Sequence, residues 1–168
     1  VALPVPGSPV PVTLQTLAVL AIGSLYGSRL GAATLLAYLF LGLAGLPVFA
    51  SGVAGPAVLL GPTAGYLLGF VIGAYAVAWF QEVGRGRLSF SVAGVAVATL
   101  AIYICGAAWL TLFLNGDLKR ALTAGVVPFL LGDTLKAALA VGLAGALRRP
   151  VQRLLGGQPD HHTHDANP

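Results

Sequence analysis

Charged residues are scarce in this sequence of 168 residues, which has nine Lys or Arg and five Asp or Glu. They make up 8% of the chain, whereas a soluble globular domain carries roughly 25% to keep its surface wetted. Hydrophobic residues reach 57%, and the mean hydropathy is +0.89. This composition excludes a soluble enzyme, a disordered chain and a nucleic-acid-binding protein.

Motifs for catalysis and for metal binding are also missing. The sequence has no GxSxG, HExxH or P-loop pattern, so we expect no enzyme activity, no ATP hydrolysis by this chain and no cofactor. Its single cysteine, Cys105, lies in an apolar run and is interpreted as a small buried hydrophobic residue. His161, His162 and His164 lie in a polar tail, where disorder is favoured over weak metal binding.

Long apolar segments separated by short Gly, Pro or charged breaks make up most of the chain. A membrane-crossing helix needs about 20 mostly apolar residues, and the strands of a β-barrel would alternate polar and apolar positions, which these segments do not. We therefore predict an all-α membrane protein, a polytopic helical bundle. The segments are Leu30–Leu46, Thr63–Phe80, Ser91–Leu114, Pro128–Leu147 and a short one, Thr13–Gly27.

The arginines between these segments predict an orientation. Even alternation of the segments places six of them on one face of the membrane: Arg29, Arg85, Arg87, Arg148, Arg149 and Arg153. The opposite face carries only Lys119 and Arg120, partly offset by Asp117. By the positive-inside rule the six-arginine face is cytoplasmic. The C-terminus of this multi-pass protein of the cytoplasmic membrane is then also cytoplasmic.

The two ends of the chain carry further expectations. The sequence lacks Met and starts at Val1, and residues 1–12 approach the first segment from outside, which predicts that an earlier helix is absent. We expect six helices in the intact protein and about five in this chain. Residues 1–149 are predicted to form the membrane domain, and residues 150–168 a polar, disordered cytoplasmic tail.

Asp133 and Lys136 are the main candidates for function, because they are an acid and a lysine within one apolar segment. Charges inside a bilayer are costly and usually mark a site or a pathway. Three residues apart on a helix, the two share a face and can pair close to the outer membrane surface. The alternative is a structural ion pair that fixes helix packing, although a buried pair is a weak source of stability.

Polar groups from two other segments fall at the same outer face. Residues 61–66 (GPTAGY) offer freed backbone groups and the hydroxyls of Thr63 and Tyr66. Irregular backbone at membrane depth is tolerated where it lines a cavity or is buried in protein. An ordinary helix start is the alternative interpretation. Gln15 adds an amide near the outer end of the first segment, beside Thr13 and Thr16.

Glycines recur four residues apart in two places. They are Gly23, Gly27 and Gly31, and Gly65, Gly69 and Gly73. In lipid, such ridges of small residues let helix backbones approach closely. Packing within the bundle is the favoured interpretation, and a docking surface for another membrane subunit is the alternative.

Four motifs follow one another along the chain: residues 9–17 (PVPVTLQTL), 42–50 (GLAGLPVFA), 61–70 (GPTAGYLLGF) and 125–136 (GVVPFLLGDTLK). Together they resemble the BioY family, the biotin-specific substrate-binding subunits, or S components, of energy-coupling factor (ECF) vitamin transporters. The resemblance covers about residues 1–149. It implies a six-helix bundle in the cytoplasmic membrane with a biotin pocket near the outer face.

The resemblance also implies a function and partners. An S component binds biotin with high affinity and works with a transmembrane coupling subunit and ATP-binding subunits in membrane lipid, without nucleic acid. The first family helix helps to contact the coupling subunit, so a chain without it is expected to bind biotin and still fail to couple. Ala64 stands where the family often has glycine, which is a small change.

Contacts to biotin are implied at several positions. The family pattern places polar contacts at Asp133 and Lys136, with help from the segment that contains Gly61 and Thr63. Asp133 and Thr63 suit the ureido ring, and Lys136 is a cation suited to the carboxylate. Which end of biotin meets which residue stays open.

The remaining candidates are mostly apolar. Phe49, Tyr66 and Phe129 suit the thioether ring and the aliphatic chain of biotin, and Gln15 completes the set of site residues. The uncharged loop 47–61 is expected to fold over the ligand as a lid. No metal-binding residues are assigned.

Two alternatives are kept. A structural membrane subunit would use the ion pair and the glycine ridges to hold helices together, and it would bind no small molecule. An S component for another carboxylated vitamin would use the same pocket, because these residues fit several carboxylated heterocycles. An intramembrane hydrolase is disfavoured, since the sequence lacks a Ser/His pair or an acidic cluster inside the membrane segments.

Overall fold

The computed structural model describes residues 2–155, which form helices joined mostly by short connections. The elements are β1 (Ala2–Leu3), β2 (Val12–Thr13), α1 (Gln15–Tyr26), α2 (Ser28–Leu43), α3 (Ala64–Val83), α4 (Leu88–Phe113), α5 (Leu118–Gly125) and α6 (Leu130–Leu154). Short 3₁₀ helices lie at Ala50–Gly52, Pro56–Leu60 and Val127–Phe129. The regular secondary structure of the described residues is thus helical apart from one small pair of strands.

Five apolar helical stretches correspond to the five predicted membrane segments. Three stretches are long and apolar enough to cross a membrane: Ala64–Val83, Leu88–Phe113 and Leu118–Leu154. The last of these contains α5, the 3₁₀ helix after it and α6. α1 and α2 are apolar but have only 12 and 16 residues. At a rise of about 1.5 Å per residue they are shorter than the roughly 30 Å hydrocarbon core. The predicted all-α membrane bundle is confirmed, and its first segment is short, as expected.

The connections between helices collect at two ends of the bundle. The hairpin end consists of β1, β2, the loop 44–63 and α5. The arginine end consists of the turn at Gly27, the turn at residues 84–87 and the C-terminal part of α6. Gly27 has a φ of 85°, a left-handed conformation that glycine adopts without strain, so α2 can start directly after α1.

α3 is the centre of the bundle, because it packs against α1, α2 and α4 and buries 11 of its 20 residues. Its glycines allow the close approach to α4. A Cβ atom at Gly65 would collide with the Cys105 carbonyl, and one at Gly69 would lie 2.9 Å from the Ile102 Cα. A Cβ at Gly23 of α1 would likewise collide with α3. Both glycine ridges therefore contribute to packing within the bundle, the favoured interpretation.

The N-terminal segment folds back over the hairpin end. β1 pairs antiparallel with β2, with Ala2 opposite Thr13. The prolines between them cannot continue a helix. The Ser8 hydroxyl donates to the Ala124 carbonyl of α5 at 2.7 Å, and Val10 is buried beside the helices. These contacts attach the N-terminal segment to the bundle at the hairpin end.

α6 extends beyond the predicted end of the membrane domain. It continues through Pro150 to Leu154, so residues 150–154 are helical and not part of a disordered tail. The rest of the predicted tail, residues 156–168 with the three histidines, lies outside the described residues.

Candidate functional site

A cavity of about 370 Å³ lies at the hairpin end, between the N-terminal segment, the loop 44–63 and the helices α1, α3, α4 and α6. Its volume falls within the roughly 300–1,000 Å³ that is usual for small-molecule sites. All eight residues predicted to contact a ligand line it: Gln15, Phe49, Gly61, Thr63, Tyr66, Phe129, Asp133 and Lys136. We call it the ligand cavity.

Asp133 is the polar centre of the ligand cavity. It lies in the first turn of α6 and is only 5% exposed. Its Oδ1 accepts hydrogen bonds from Lys136 Nζ at 2.7 Å and from the Thr16 hydroxyl at 3.0 Å. Its Oδ2 accepts one from the Tyr103 hydroxyl at 2.6 Å. Groups on α1, α4 and α6 therefore hold this carboxylate in one orientation.

Lys136 has three acceptors for its three ammonium protons. It pairs with Asp133, which confirms the predicted ion pair. Its Nζ also donates to the Thr13 carbonyl at 2.6 Å and to the Thr16 hydroxyl at 3.3 Å. An ammonium group has three donors in all. The hydrogen bond to Thr16 is the longest of the three, so a ligand acceptor would replace it at the least cost.

The Asp133 carboxylate keeps room for one more partner. An ionised carboxylate offers about four acceptor positions, and protein donors occupy three of them. The open position is on Oδ2, whose single donor is Tyr103. A ligand N–H that reaches Oδ2 would complete the hydrogen bonding of a buried charge, which is favourable because incomplete pairing of such a charge is costly.

Gln15 is engaged by the protein. Its Nε2 donates to the Tyr38 hydroxyl at 2.6 Å, and its Oε1 accepts from the Thr13 hydroxyl at 3.1 Å. Tyr38 donates in turn to the Val48 carbonyl at 3.2 Å, and its ring meets Phe49 edge-on with centroids 5.5 Å apart. Gln15 therefore connects α1 to the loop after α2 and positions that part of the cavity wall.

The start of α3 contributes a free hydroxyl. The indole N–H of Trp109 on α4 donates to the Gly61 carbonyl at 2.9 Å, which fixes the backbone just before Thr63. Thr63 occupies the N-cap position of α3, but its hydroxyl makes no capping hydrogen bond. The hydroxyl has no hydrogen-bond partner within residues 2–155, and the residue lines the cavity. It is therefore available to a ligand.

Aromatic rings form much of the apolar wall. The Tyr66 hydroxyl, predicted as a polar group of the site, donates to the Gly125 carbonyl at 2.7 Å, so Tyr66 contributes mainly its ring. Phe129, in the turn before α6, and Phe49, in the loop after α2, are both buried and line the same cavity. The apolar body of a small ligand would contact these rings.

The uncharged loop 47–61 forms one side of the cavity, in the place predicted for a lid. Phe49 and Val58 are its buried residues, and both line the cavity. A Cβ atom at Gly42 of α2 would collide with the Phe49 ring, so Gly42 makes the space in which that ring packs. The loop is thus held against α2 by an aromatic side chain that also borders the ligand cavity.

Tyr103 is the partner of Asp133 in the cavity that sequence analysis did not identify. It lies near the middle of α4, and its hydroxyl donates to Asp133 Oδ2, whereas that of Thr16 donates to Oδ1. Tyrosines of membrane helices are enriched near the membrane–water interfaces. A tyrosine near the middle of a predicted span was therefore the available signal.

Comparisons with protein families and with known proteins point to the same family. The family model for BioY matches residues 1–153. A probable biotin transporter BioY from Pyrococcus horikoshii is 38% identical over 140 residues, which cover 83% of this chain and 82% of that protein. A biotin transporter BioY from Thermotoga maritima is 35% identical over 145 residues, which cover 86% of this chain and 85% of that protein.

A solved structure has the same fold. It is the crystal structure at 2.1 Å of the S-component for biotin from an ECF-type ABC transporter. The match has a TM-score of 0.82 and 29% sequence identity, and it covers 88% of this chain and 80% of that one. The likeness therefore extends over most of the chain.

Proposed function

Because the chain belongs to the BioY family, we propose that it binds biotin in the ligand cavity and serves in biotin uptake as the substrate-binding subunit of an ECF transporter. The observation that carries this proposal is the buried ion pair of Asp133 and Lys136 in the wall of a cavity of about 370 Å³. An intramembrane charge pair beside a cavity is by default a functional site, because it is expensive to keep there.

The geometry of the pair favours one orientation of biotin. Asp133 Oδ1 and Lys136 Nζ are 2.7 Å apart, so both contact the same end of a bound ligand. The ureido ring carries N–H donors and a carbonyl acceptor side by side, whereas the carboxylate lies at the opposite end of the molecule. We infer that a ureido N–H donates to Asp133 Oδ2 and that the ureido carbonyl accepts from Lys136.

The rest of biotin then follows the apolar wall. The thioether ring and the aliphatic chain contact the rings of Tyr66, Phe129 and Phe49, since these side chains line the same cavity. The carboxylate points away from Lys136, towards the loop after α2. The free hydroxyl of Thr63 is the donor proposed for it, in place of the ureido contact expected from the sequence.

Location and partners follow from the same proposal. The chain lies in the cytoplasmic membrane with its arginine end and C-terminus on the cytoplasmic side, in keeping with the positive-inside rule. Its partners are a transmembrane coupling subunit and ATP-binding subunits, which supply the energy for uptake. The chain is a transporter subunit and not an enzyme, and its function requires no cofactor.

Calorimetry on the detergent-purified chain tests this proposal. We expect saturable binding of one biotin per chain, with thiamine and riboflavin giving no heat beyond dilution. Methylation of the ureido nitrogens is expected to weaken binding about tenfold or more, because it removes the hydrogen bond to a charged acceptor. Biotin methyl ester is expected to lose less, because its carboxylate is remote from the ion pair.

Two results would contradict separate parts of the proposal. A folded, monodisperse chain that binds none of the vitamins would support a structural subunit and refute biotin binding. Tight binding of biotin in which the methyl ester loses more than the N-methyl analogue would keep the function and reverse the orientation. The melting temperature of the same preparation shows whether the chain is folded.

A further inference from the structure

A second cavity, of about 430 Å³, lies at the arginine end between α3, α4 and α6. We call it the arginine cavity. Most of the residues that line it are polar or charged, among them Gln81, Glu82, Arg85, Ser91, Arg148 and Arg149. None of these residues lines the ligand cavity, so biotin binding gives them no role.

The charges around the arginine cavity are mainly positive. Glu82 is its single acid, and the Glu82 carboxylate already accepts hydrogen bonds from the Ser28 backbone N–H at 2.7 Å and the Ser28 hydroxyl at 2.9 Å. Within residues 2–155 the pair of Lys136 and Asp133 is the only salt bridge. In that part of the chain, the three arginines of the cavity therefore have no carboxylate partner, and together they attract an anion.

Two buried polar atoms at the cavity have no hydrogen-bond partner within residues 2–155. They are Oε1 of Gln81 and Nε of Arg148. Gln81 is 0% exposed, and its Nε2 donates to the Ser24 hydroxyl at 2.9 Å. Arg148 donates from a terminal nitrogen to the Gln81 backbone carbonyl at 3.1 Å, so the two residues are in contact. One of them carries a buried acceptor without a partner in this part of the chain, and the other a buried cationic donor.

We propose that the arginine cavity binds the phosphate group of a net-anionic phospholipid headgroup, of which phosphatidylglycerol is the type. Arginine side chains match phosphate oxygens with paired, charge-assisted hydrogen bonds, which suits Arg148 and Arg85. Arg148, whose Nε lacks an acceptor within residues 2–155, is the residue of the wall that gains most from such a phosphate.

The depth of the cavity fits a lipid headgroup. Trp79, two residues before Gln81, is exposed and packs edge-on against Phe80 with centroids 5.2 Å apart. Exposed tryptophans of membrane helices are typical of the membrane–water interface, where headgroups lie. The cavity therefore lies at the depth of the headgroups.

Native mass spectrometry of the full chain in neutral detergent tests the proposal. We expect one tightly retained phosphatidylglycerol per chain and weaker retention of phosphatidylcholine with the same acyl chains. Arg148→Gln and Arg85→Gln should each weaken retention about fivefold, since a basic residue at the surface contributes about 1 kcal/mol to binding anionic lipid. Arg87→Gln is the matched control, because Arg87 lies in the same turn as Arg85 but does not line the cavity.

The outcomes separate a built site from general attraction. Equal retention of the two lipids, or an equal loss with Arg87→Gln, would overturn the proposal. A competition arm with inorganic phosphate distinguishes the sources. If millimolar phosphate displaces the lipid completely, the site takes free phosphate and the lipid assignment is wrong. Should Arg148→Gln fail to fold, Arg85→Gln still decides the result, because Arg85 is exposed.

Discussion

The two cavities of the bundle use charge in opposite ways. In the ligand cavity one acid and one base lie 2.7 Å apart, and both also bond to the Thr16 hydroxyl. Each charge therefore has its counter-charge and its main hydrogen-bond partner within the cavity wall. In the arginine cavity three arginines accompany a single acid that is engaged by the start of α2. Two buried polar atoms there have no partner within residues 2–155.

This difference determines what each cavity can accept. A neutral ring that carries donors and acceptors can join the ion pair without adding a net charge beside it, which is the costly outcome in a membrane. A cavity whose positive charges exceed its negative charge is instead stabilised by an anion, because the anion supplies the missing negative charge. The ligand cavity is therefore suited to the ureido ring of biotin, and the arginine cavity to a phosphate.

The largest effect is expected from removing the acid of the ligand cavity. Asp133→Ala leaves the Lys136 ammonium buried without a counter-charge, so we expect a loss of about 3–5 kcal/mol in stability together with the loss of biotin binding. Thermal melting in detergent and calorimetry measure the two effects. At the arginine end, Arg85→Gln should leave the melting temperature unchanged, because Arg85 is exposed and forms no salt bridge within residues 2–155.

The double variant Asp133→Ala/Lys136→Met controls for the cause. Without either charge, most of the lost stability should return, because the penalty of the single variant comes mainly from an unpaired buried charge. Biotin binding should stay lost, because both polar contacts to the ureido ring are gone. A double variant as unstable as Asp133→Ala would show that the unpaired Lys136 ammonium is not the cause of the lost stability.

Much of this comparison could be predicted from the sequence, because intramembrane charges are rare and conspicuous. Asp133 and Lys136 were identified by their position inside an apolar segment, and their spacing predicted the ion pair that the structure contains. The eight site residues share one cavity, since the motifs that contain them lie at corresponding ends of neighbouring helices. The apolar pattern and the charges were sufficient for the helices and the ion pair, whereas the full set of ligand contacts was implied by the resemblance to the BioY family.

The partners of these residues could not be predicted, because they depend on packing between distant helices. The Tyr66 hydroxyl bonds to the Gly125 carbonyl, and the Gln15 amide bonds to Tyr38, so neither group is free as the sequence suggested. The arginine cavity could not be predicted from the sequence for the same reason. Arg85 and Arg148 predicted the membrane orientation, but only the fold brings the turn at residues 84–87 and the C-terminal part of α6 to one cavity.

A medium effect is expected from Tyr103, which holds Asp133 Oδ2 beside the open acceptor position. Tyr103→Phe removes one hydrogen bond to a charged group, worth about 1.5–3 kcal/mol. We therefore expect biotin binding to weaken about tenfold or more in calorimetry, with the fold retained. Tyr75→Phe is the matched control, because Tyr75 is half-exposed on α3 and does not line the cavity. Equal losses in the two variants would contradict a specific role for Tyr103.

The smallest effect is expected from Thr63, whose hydroxyl has no partner within residues 2–155. Thr63→Val keeps the shape of the side chain and removes the donor proposed for the biotin carboxylate, so binding should weaken by about 0.5–1.5 kcal/mol. Stability should not fall, because no hydrogen bond within the described residues is lost. Thr99→Val is the control, because the hydroxyl that it removes bonds the Val95 carbonyl of its own helix, away from the cavity.

Biotin methyl ester completes the test of Thr63. The ester should bind the wild type and Thr63→Val with more similar affinities than biotin does. If Thr63→Val weakens the ester and biotin to the same extent, Thr63 does not contact the carboxylate, and the charged end of biotin lies elsewhere in the cavity.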